Sequence, residues 1–237
     1  MKPFRSAMGL LLLVGASAAA GYGLSGRSTR ALAAAVPAAQ QSPTASFPKD
    51  VYPETGNRLP PIKRDDLDDA GKKLFDSRGP SADFFGPGAI RLYSVPVAEH
   101  MGAVNEYLRY KSGLDPRLVQ LAILVTAREC QSEYIWTAHE PQGLKAGLQP
   151  EAIDVVRFRK SPQGLDEKAA VIIEFAREAV GKHHVTPDVA ARAAKLFSKQ
   201  ELVNYAALMG DYAATATLLN AFDQHVRPSD KPLLPLP

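Results

Sequence analysis

The chain has 237 residues and a single cysteine, Cys130. One thiol cannot form an intramolecular disulfide, nor can it supply the attacking and resolving pair that a dithiol redox enzyme needs. Its plainest role is that of a small buried apolar side chain. Charge of one sign is also scarce. The formal net charge is +3, and four basic residues (Lys2, Arg5, Arg27, Arg30) fall in residues 1–35, which hold no acid. Without that stretch 24 basic residues face 25 acidic ones, so no nucleic-acid or anionic-membrane partner is indicated. No segment alternates apolar and polar residues with hairpin turns at its ends, which argues against sheets. Metal-ligand clusters are missing too, because His183-His184 precedes a proline-opened helix with no third ligand at a suitable spacing.

What is present is an ordinary globular composition, 46% hydrophobic and 22% charged, enough for one domain with a sizeable core. The N-terminus reads as an export signal. Lys2 and Arg5 precede an apolar run from Met8 to Ala20, and small-residue cleavage candidates follow at 16–18, 18–20 and 31–33. An uncleaved anchor through Leu24 is the alternative, and the absence of a nearby cysteine argues against lipid modification. The expected division is a signal peptide over 1–35, a Pro/Ala-rich linker or arm over 36–61, a helical domain over 62–226 and a Pro-rich tail over 227–237. A periplasmic or secreted location follows, with no stable membrane insertion once the leader is removed.

Helix grammar dominates the rest, so the fold class is all-α. Asp65 to about Phe75 forms a first helix, and Gly86-Pro87-Gly88 marks a loop. Pro96 opens a helix whose Val97, Met101, Val104 and Leu108 make an apolar stripe, closed by Gly113. Asp115-Pro116 pairs an N-cap acceptor with the imino acid tolerated in a first turn, opening a helix apolar on most of its circumference and therefore central. The next runs from near Ser132 to Gly147, with Pro141 a point of kinking. Further starts lie at Gln149-Pro150, at Asp166 (terminated by Gly181) and at Thr186-Pro187. Ser198 and Glu201 form a capping box for a last helix reaching about Val226.

The chemistry concentrates on Ser132-Glu133-Tyr134-Ile135-Trp136-Thr137-Ala138-His139. Residues four and seven before His139 share its helix face, placing Ile135 and Ser132 beside the imidazole. With an ordinary pKa of ~6.5, His139 is the natural general acid/base. Glu133 is a second proton carrier or an orienting group, although six residues of separation put it about 240° away on an ideal helix. Arg128 and Lys145 are candidate carboxylate anchors, Ser132 a contact, and Tyr134, Trp136 and Tyr212 pocket walls. For the only tryptophan, Trp136, core or interface packing is the simpler assignment.

The block Asp115 to Ile153, with Leu121-Ala122-Ile123-Leu124, Ser132-Glu133-Tyr134, Trp136, His139 and Ala146-Gly147-Leu148, resembles the carboxymuconolactone decarboxylase family, which includes the alkylhydroperoxidase-like proteins. Weaker similarity extends the resemblance to about residues 60–225, through Gly210-Asp211-Tyr212 and Leu219-Asn220-Ala221-Phe222. It implies a compact multi-helix bundle with an extended N-terminal arm, assembling into homotrimers or homohexamers, with no metal or organic cofactor and a small-molecule substrate. In the peroxidase branch a glutamate, two cysteines and a histidine relay protons to a thiolate. Here Gln120, Ser132 and Ile135 stand at the first three places, and only His139 matches.

That departure disfavours peroxidase activity, since a hydroxyl neither attacks the O–O bond nor resolves a sulfenic acid. Cys130 lies about 200° round a helix from the attacking position. The resemblance instead points to a lyase acting on a small carboxylated or lactone-type molecule, with His139 as acid/base. A non-catalytic oligomeric binding protein is the alternative.

Overall fold

The computed structural model describes residues 47–79 and 84–235. The expected leader and residues 36–46 of the expected arm lie outside the described residues. Among the described residues the chain is all-α with no strand, only one isolated bridge pairing Tyr52 and Asn57. No helix there is long and apolar enough to cross a membrane. Nine α-helices follow in order: α1 (Asp69–Ser77), α2 (Pro87–Arg91), α3 (Val95–Glu106), α4 (Pro116–Glu129), α5 (Glu133–Lys145), α6 (Pro150–Arg157), α7 (Glu167–Ala176), α8 (Pro187–Leu196) and α9 (Lys199–Ala221).

Helix α4 is the axis of the fold. The Asp115 carboxylate accepts from the Arg117 N–H at 2.8 Å, and Pro116 occupies the first turn where no N–H is needed. From Leu118 to Ala127 every residue is buried, which an all-round apolar helix must be. Around it pack α5, α6, α7 and α9. The α4–α5 connection is short: Gln131 takes a left-handed φ of 52° and the Ser132 N–H bonds to the Ala127 carbonyl at 2.8 Å. Helix α5 runs through Pro141 and ends in a double closure, with Gly147 at φ 91° donating to Leu144 and Leu148 donating to Gly143 at 2.9 Å. The capping box of α9 is formed, Ser198 and Glu201 each accepting from the other's N–H.

Several boundaries differ from the sequence expectations, each for a local reason. The first helix divides into a 3-10 turn, Arg64–Asp66, and α1, because the Asp68 side chain accepts from Gly71 N–H at 2.7 Å and caps a fresh start. Gly86-Pro87-Gly88 is not a simple loop: Gly86 is the N-terminal neighbour of α2, and Pro87 sits in its first turn. Beyond α3 the chain widens into a π-helical segment, Tyr107–Lys111, in which Leu108 is 2% exposed. Val97 and Val104, seven apart on one face, stay 39% and 47% exposed, so the expected stripe is not a core stripe.

A second π segment, Arg177–Lys182, carries α7 past Gly181. His183, at φ 59°, is the left-handed residue that closes it, while a Cβ on Gly181 would approach Glu129 Oε2 to 2.8 Å. Helix α9 stops at Ala221 rather than Val226 because the following residues pair with the arm. Gln224 Oε1 accepts from Asn57 Nδ2 at 2.8 Å, and the His225 N–H donates to Gly56 O at 2.8 Å. Val51, Thr55 and Asn57 are buried by this docking, so the described part of the arm is held on the domain.

Candidate functional site

Helices α2, α3, α5 and α9 converge on a cavity of about 120 Å³. Pro87 and Arg91 come from α2, Asn105 from α3, and Arg109 from the π segment after it. Tyr134, Ile135, Ala138 and His139 come from α5, and Tyr212 and Thr215 from α9. Gly86 makes the closure of this end feasible. Its φ is 89°, and a Cβ there would lie 2.2 Å from the Tyr134 hydroxyl oxygen, so only glycine lets α2 approach α5 so closely.

His139 is 7% exposed and held from two sides. Its Nδ1 lies 2.9 Å from Gln120 Oε1 on α4, and its Nε2 lies 3.3 Å from the Tyr212 hydroxyl. The Tyr212 ring meets the imidazole edge-on, with centroids 5.1 Å apart and planes at 88°. Because Gln120 Oε1 can only accept, Nδ1 carries the proton, and Nε2 presents its lone pair to the Tyr212 O–H. Burial, with a further contribution from the Arg109 charge, depresses the His139 pKa from 6.5 to about 3. The ring is therefore neutral at physiological pH, in contrast to the ordinary pKa of ~6.5 expected from the sequence. Burial likewise raises the Tyr212 phenol to about 12, against opposing effects from Arg109 and Asn105.

The far wall carries charge. Arg91 donates to the Thr215 hydroxyl, which donates in turn to the Asp211 carbonyl at 2.8 Å. Arg109 donates to Gln142 Oε1 at 2.9 Å. Asn105 Nδ2 donates to the Asp211 carboxylate at 2.7 Å. Desolvation pushes the Asp211 carboxyl upward, opposed by the Asn105 bond and by the charges of Arg91 and Arg109. Desolvation also lowers the Arg91 pKa.

Of the residues singled out in the sequence, His139, Tyr134 and Tyr212 line the cavity together with Ile135. The others do not line it. Ser132, 2% exposed, is the residue preceding α5, and its hydroxyl is buried with no hydrogen-bond partner among the described residues. Glu133 lies on another side of α5, its carboxyl raised by desolvation and lowered by His225. Trp136 is fully buried, its indole N–H donating to Glu140 Oε2 at 2.6 Å. Arg128 donates to the Arg157 carbonyl at 3.0 Å instead of facing the imidazole. Cys130 is half-buried and its thiol pKa is raised mainly by burial, the opposite of an activated nucleophile. Sequence reasoning missed Arg91, Asn105, Arg109 and Thr215. A usable signal existed in two polar pairs four apart within apolar helices, Asn105 with Arg109 and Asp211 with Thr215.

Residues 96–178 match the model of the Carboxymuconolactone decarboxylase family. This stretch is a carboxymuconolactone decarboxylase family domain. No curated protein and no solved structure matches the chain. The matched segment of the carboxymuconolactone decarboxylase domain contains Asn105, Arg109, Gln120, Tyr134 and His139, whereas Arg91, Tyr212 and Thr215 fall outside it. The cavity is thus completed by helices flanking the matched part. With one cysteine in the chain, the domain has no cysteine pair.

Proposed function

We propose that this domain is a proton-transfer enzyme acting on a small carboxylated or lactone-type molecule, with His139 and Tyr212 as the working pair. The observation that carries the reading is the neutral imidazole whose Nε2 lone pair meets a phenolic O–H at the wall of a cavity. Such a pair can take a proton from carbon beside a carbonyl: the C–H electrons pass into the enolate, and the proton reaches Nε2 directly or through the Tyr212 oxygen. Loss of carbon dioxide from a carboxylated substrate breaks the C–C bond and leaves its electron pair in the same enolate, whose carbon then takes a proton from the Tyr212 O–H or from an imidazolium formed in the occupied site. The positive charge of Arg109 favours that developing anion. An anionic substrate also offsets the burial and the Arg109 repulsion that disfavour an imidazolium, so protonation of His139 belongs to the occupied site.

The test is His139→Gln assayed against a panel of small acids and lactones. Turnover should fall at least ~10²-fold while thermal unfolding and oligomer size stay unchanged. Undiminished turnover, or collapse of the fold, contradicts the role. One observation favours a second reading, a non-catalytic binding protein: both ring nitrogens already have side-chain partners. Under that reading the panel binds but nothing turns over. Export to the periplasm and assembly into trimers or hexamers belong to the same proposal, checked by the mature N-terminus and by mass measurement in solution.

A further inference from the structure

The charges around the cavity do not balance. Two guanidiniums line it, and among the described residues their hydrogen bonds go only to neutral oxygens, the Thr215 hydroxyl and the Gln142 side-chain carbonyl. Neither makes an ion pair there. Asp211, buried beside them, is held by Asn105 rather than by either arginine and influences them only through space. Each guanidinium also has a buried Nε–H with no acceptor among the described residues. Half-buried cations with incomplete hydrogen bonding are costly unless an anion meets them. Two positive groups against one negative leave an excess of one.

We propose that Arg91 and Arg109 together hold the carboxylate of a small monoanionic ligand whose other end faces His139 and Tyr212. This deepens the functional reading above and rests on the cavity being its ligand site. Size narrows the class further. A void of about 120 Å³ is slightly smaller than the ~150 Å³ cavity that admits benzene, so the ligand has about six non-hydrogen atoms. That describes a short unsaturated acid, not a polycyclic or nucleotide-like molecule. The forked donors of arginine suit the planar two-oxygen geometry of a carboxylate. Arg128, the anchor expected from sequence, bonds to the Arg157 carbonyl and does not line this cavity.

Crotonate, a planar monoacid of six heavy atoms, and crotonamide, its uncharged counterpart, are the probes. Calorimetric titration of the full chain should show crotonate binding at millimolar concentration and crotonamide binding at least about tenfold more weakly. Arg91→Gln and Arg109→Gln should each weaken crotonate at least about tenfold. Arg109→Lys should fall between, which guards against a glutamine variant that fails to fold. Inorganic phosphate should bind more weakly than crotonate. Equal binding of acid and amide, no crotonate binding, phosphate preferred, or Arg→Gln variants with unchanged affinity would each overturn the proposal. Failure here is separable from failure of the catalytic reading. Turnover that depends on His139 but not on either arginine removes the anchor alone, while crotonate binding by a protein with no turnover removes the chemistry alone.

Discussion

Helix α5 carries two polar clusters built from similar residues, and they are finished differently. On one side Trp136, Glu140 and Arg157 form a closed set: the indole donates to Glu140, and Arg157 pairs with both Glu140 and Asp154. The Arg157 guanidinium also lies 5.7 Å from the Trp136 ring centroid. On the other side His139, Arg91 and Arg109 surround a void, and among the described residues the arginines donate only to neutral acceptors. A buried unpartnered Nε does not separate the clusters, since Arg157 has one as well. The differences are the ion pairing and the space. A charge matched within the protein holds helices together, whereas a charge left unmatched beside a cavity is available to a ligand.

The contrast can be broken from either side. The largest expected effect is kinetic: His139→Gln should lower turnover by ~10²- to 10⁴-fold with stability preserved. The mirror change, Arg157→Ala, should leave crotonate affinity intact but cost about 3 kcal/mol in denaturant unfolding, because it strands Glu140 in a mostly buried site. Equal loss of ligand affinity in that variant would merge the two clusters into one.

Acid should expose the second difference. The folded-state pKa of His139 lies below its ordinary value, so the unfolded chain binds the proton more readily. Its contribution to stability is complete above pH ~6.5 and is lost as pH falls toward ~3, a drop on the order of a few kcal/mol. Asp211, raised by desolvation, works in the opposite sense: its contribution is present below the ordinary carboxylate value and lost as pH rises through its folded-state value. Chemical unfolding followed between pH 7 and pH 4 should therefore show weakening that His139→Gln flattens, and identical profiles would sink the assignment. Gly86→Ala should cost about 1–3 kcal/mol and weaken ligand binding, since it forces α2 away from Tyr134. The smallest effect belongs to Cys130→Ser, expected within about 1 kcal/mol in stability and without consequence for turnover. A large loss of activity there would return the thiol to the mechanism.

Legibility in the sequence followed the reach of local rules. Caps and first-turn prolines placed α4, α6, α8 and the start of α9 well, because Asp115, Pro116, Pro150, Pro187, Ser198 and Glu201 act on their own backbone neighbours. The all-round apolar character of α4 likewise placed it at the centre. The central block located His139 and Tyr134, and the weaker similarity beyond it Tyr212, three of the cavity's walls. Arg91 escaped because Gly86-Pro87-Gly88 reads as a loop, and only contact with Tyr134 shows why the chain turns there into helix. Arg109 escaped because it rides on a π turn, which a 3.6-residue period does not describe. Arg128 is a candidate carboxylate anchor by residue type alone, and the fold directs it to α6. The imidazole's neutrality was invisible for the same reason, since burial and the approach of Arg109 are tertiary facts.

A crystal structure of the chain grown with crotonate tests the central claim most directly. The account predicts carboxylate density within hydrogen-bond reach of both Arg91 and Arg109, with the carbon chain running toward His139 Nε2. Density confined to the protein surface, or a carboxylate in this cavity bonded to neither arginine, would contradict it.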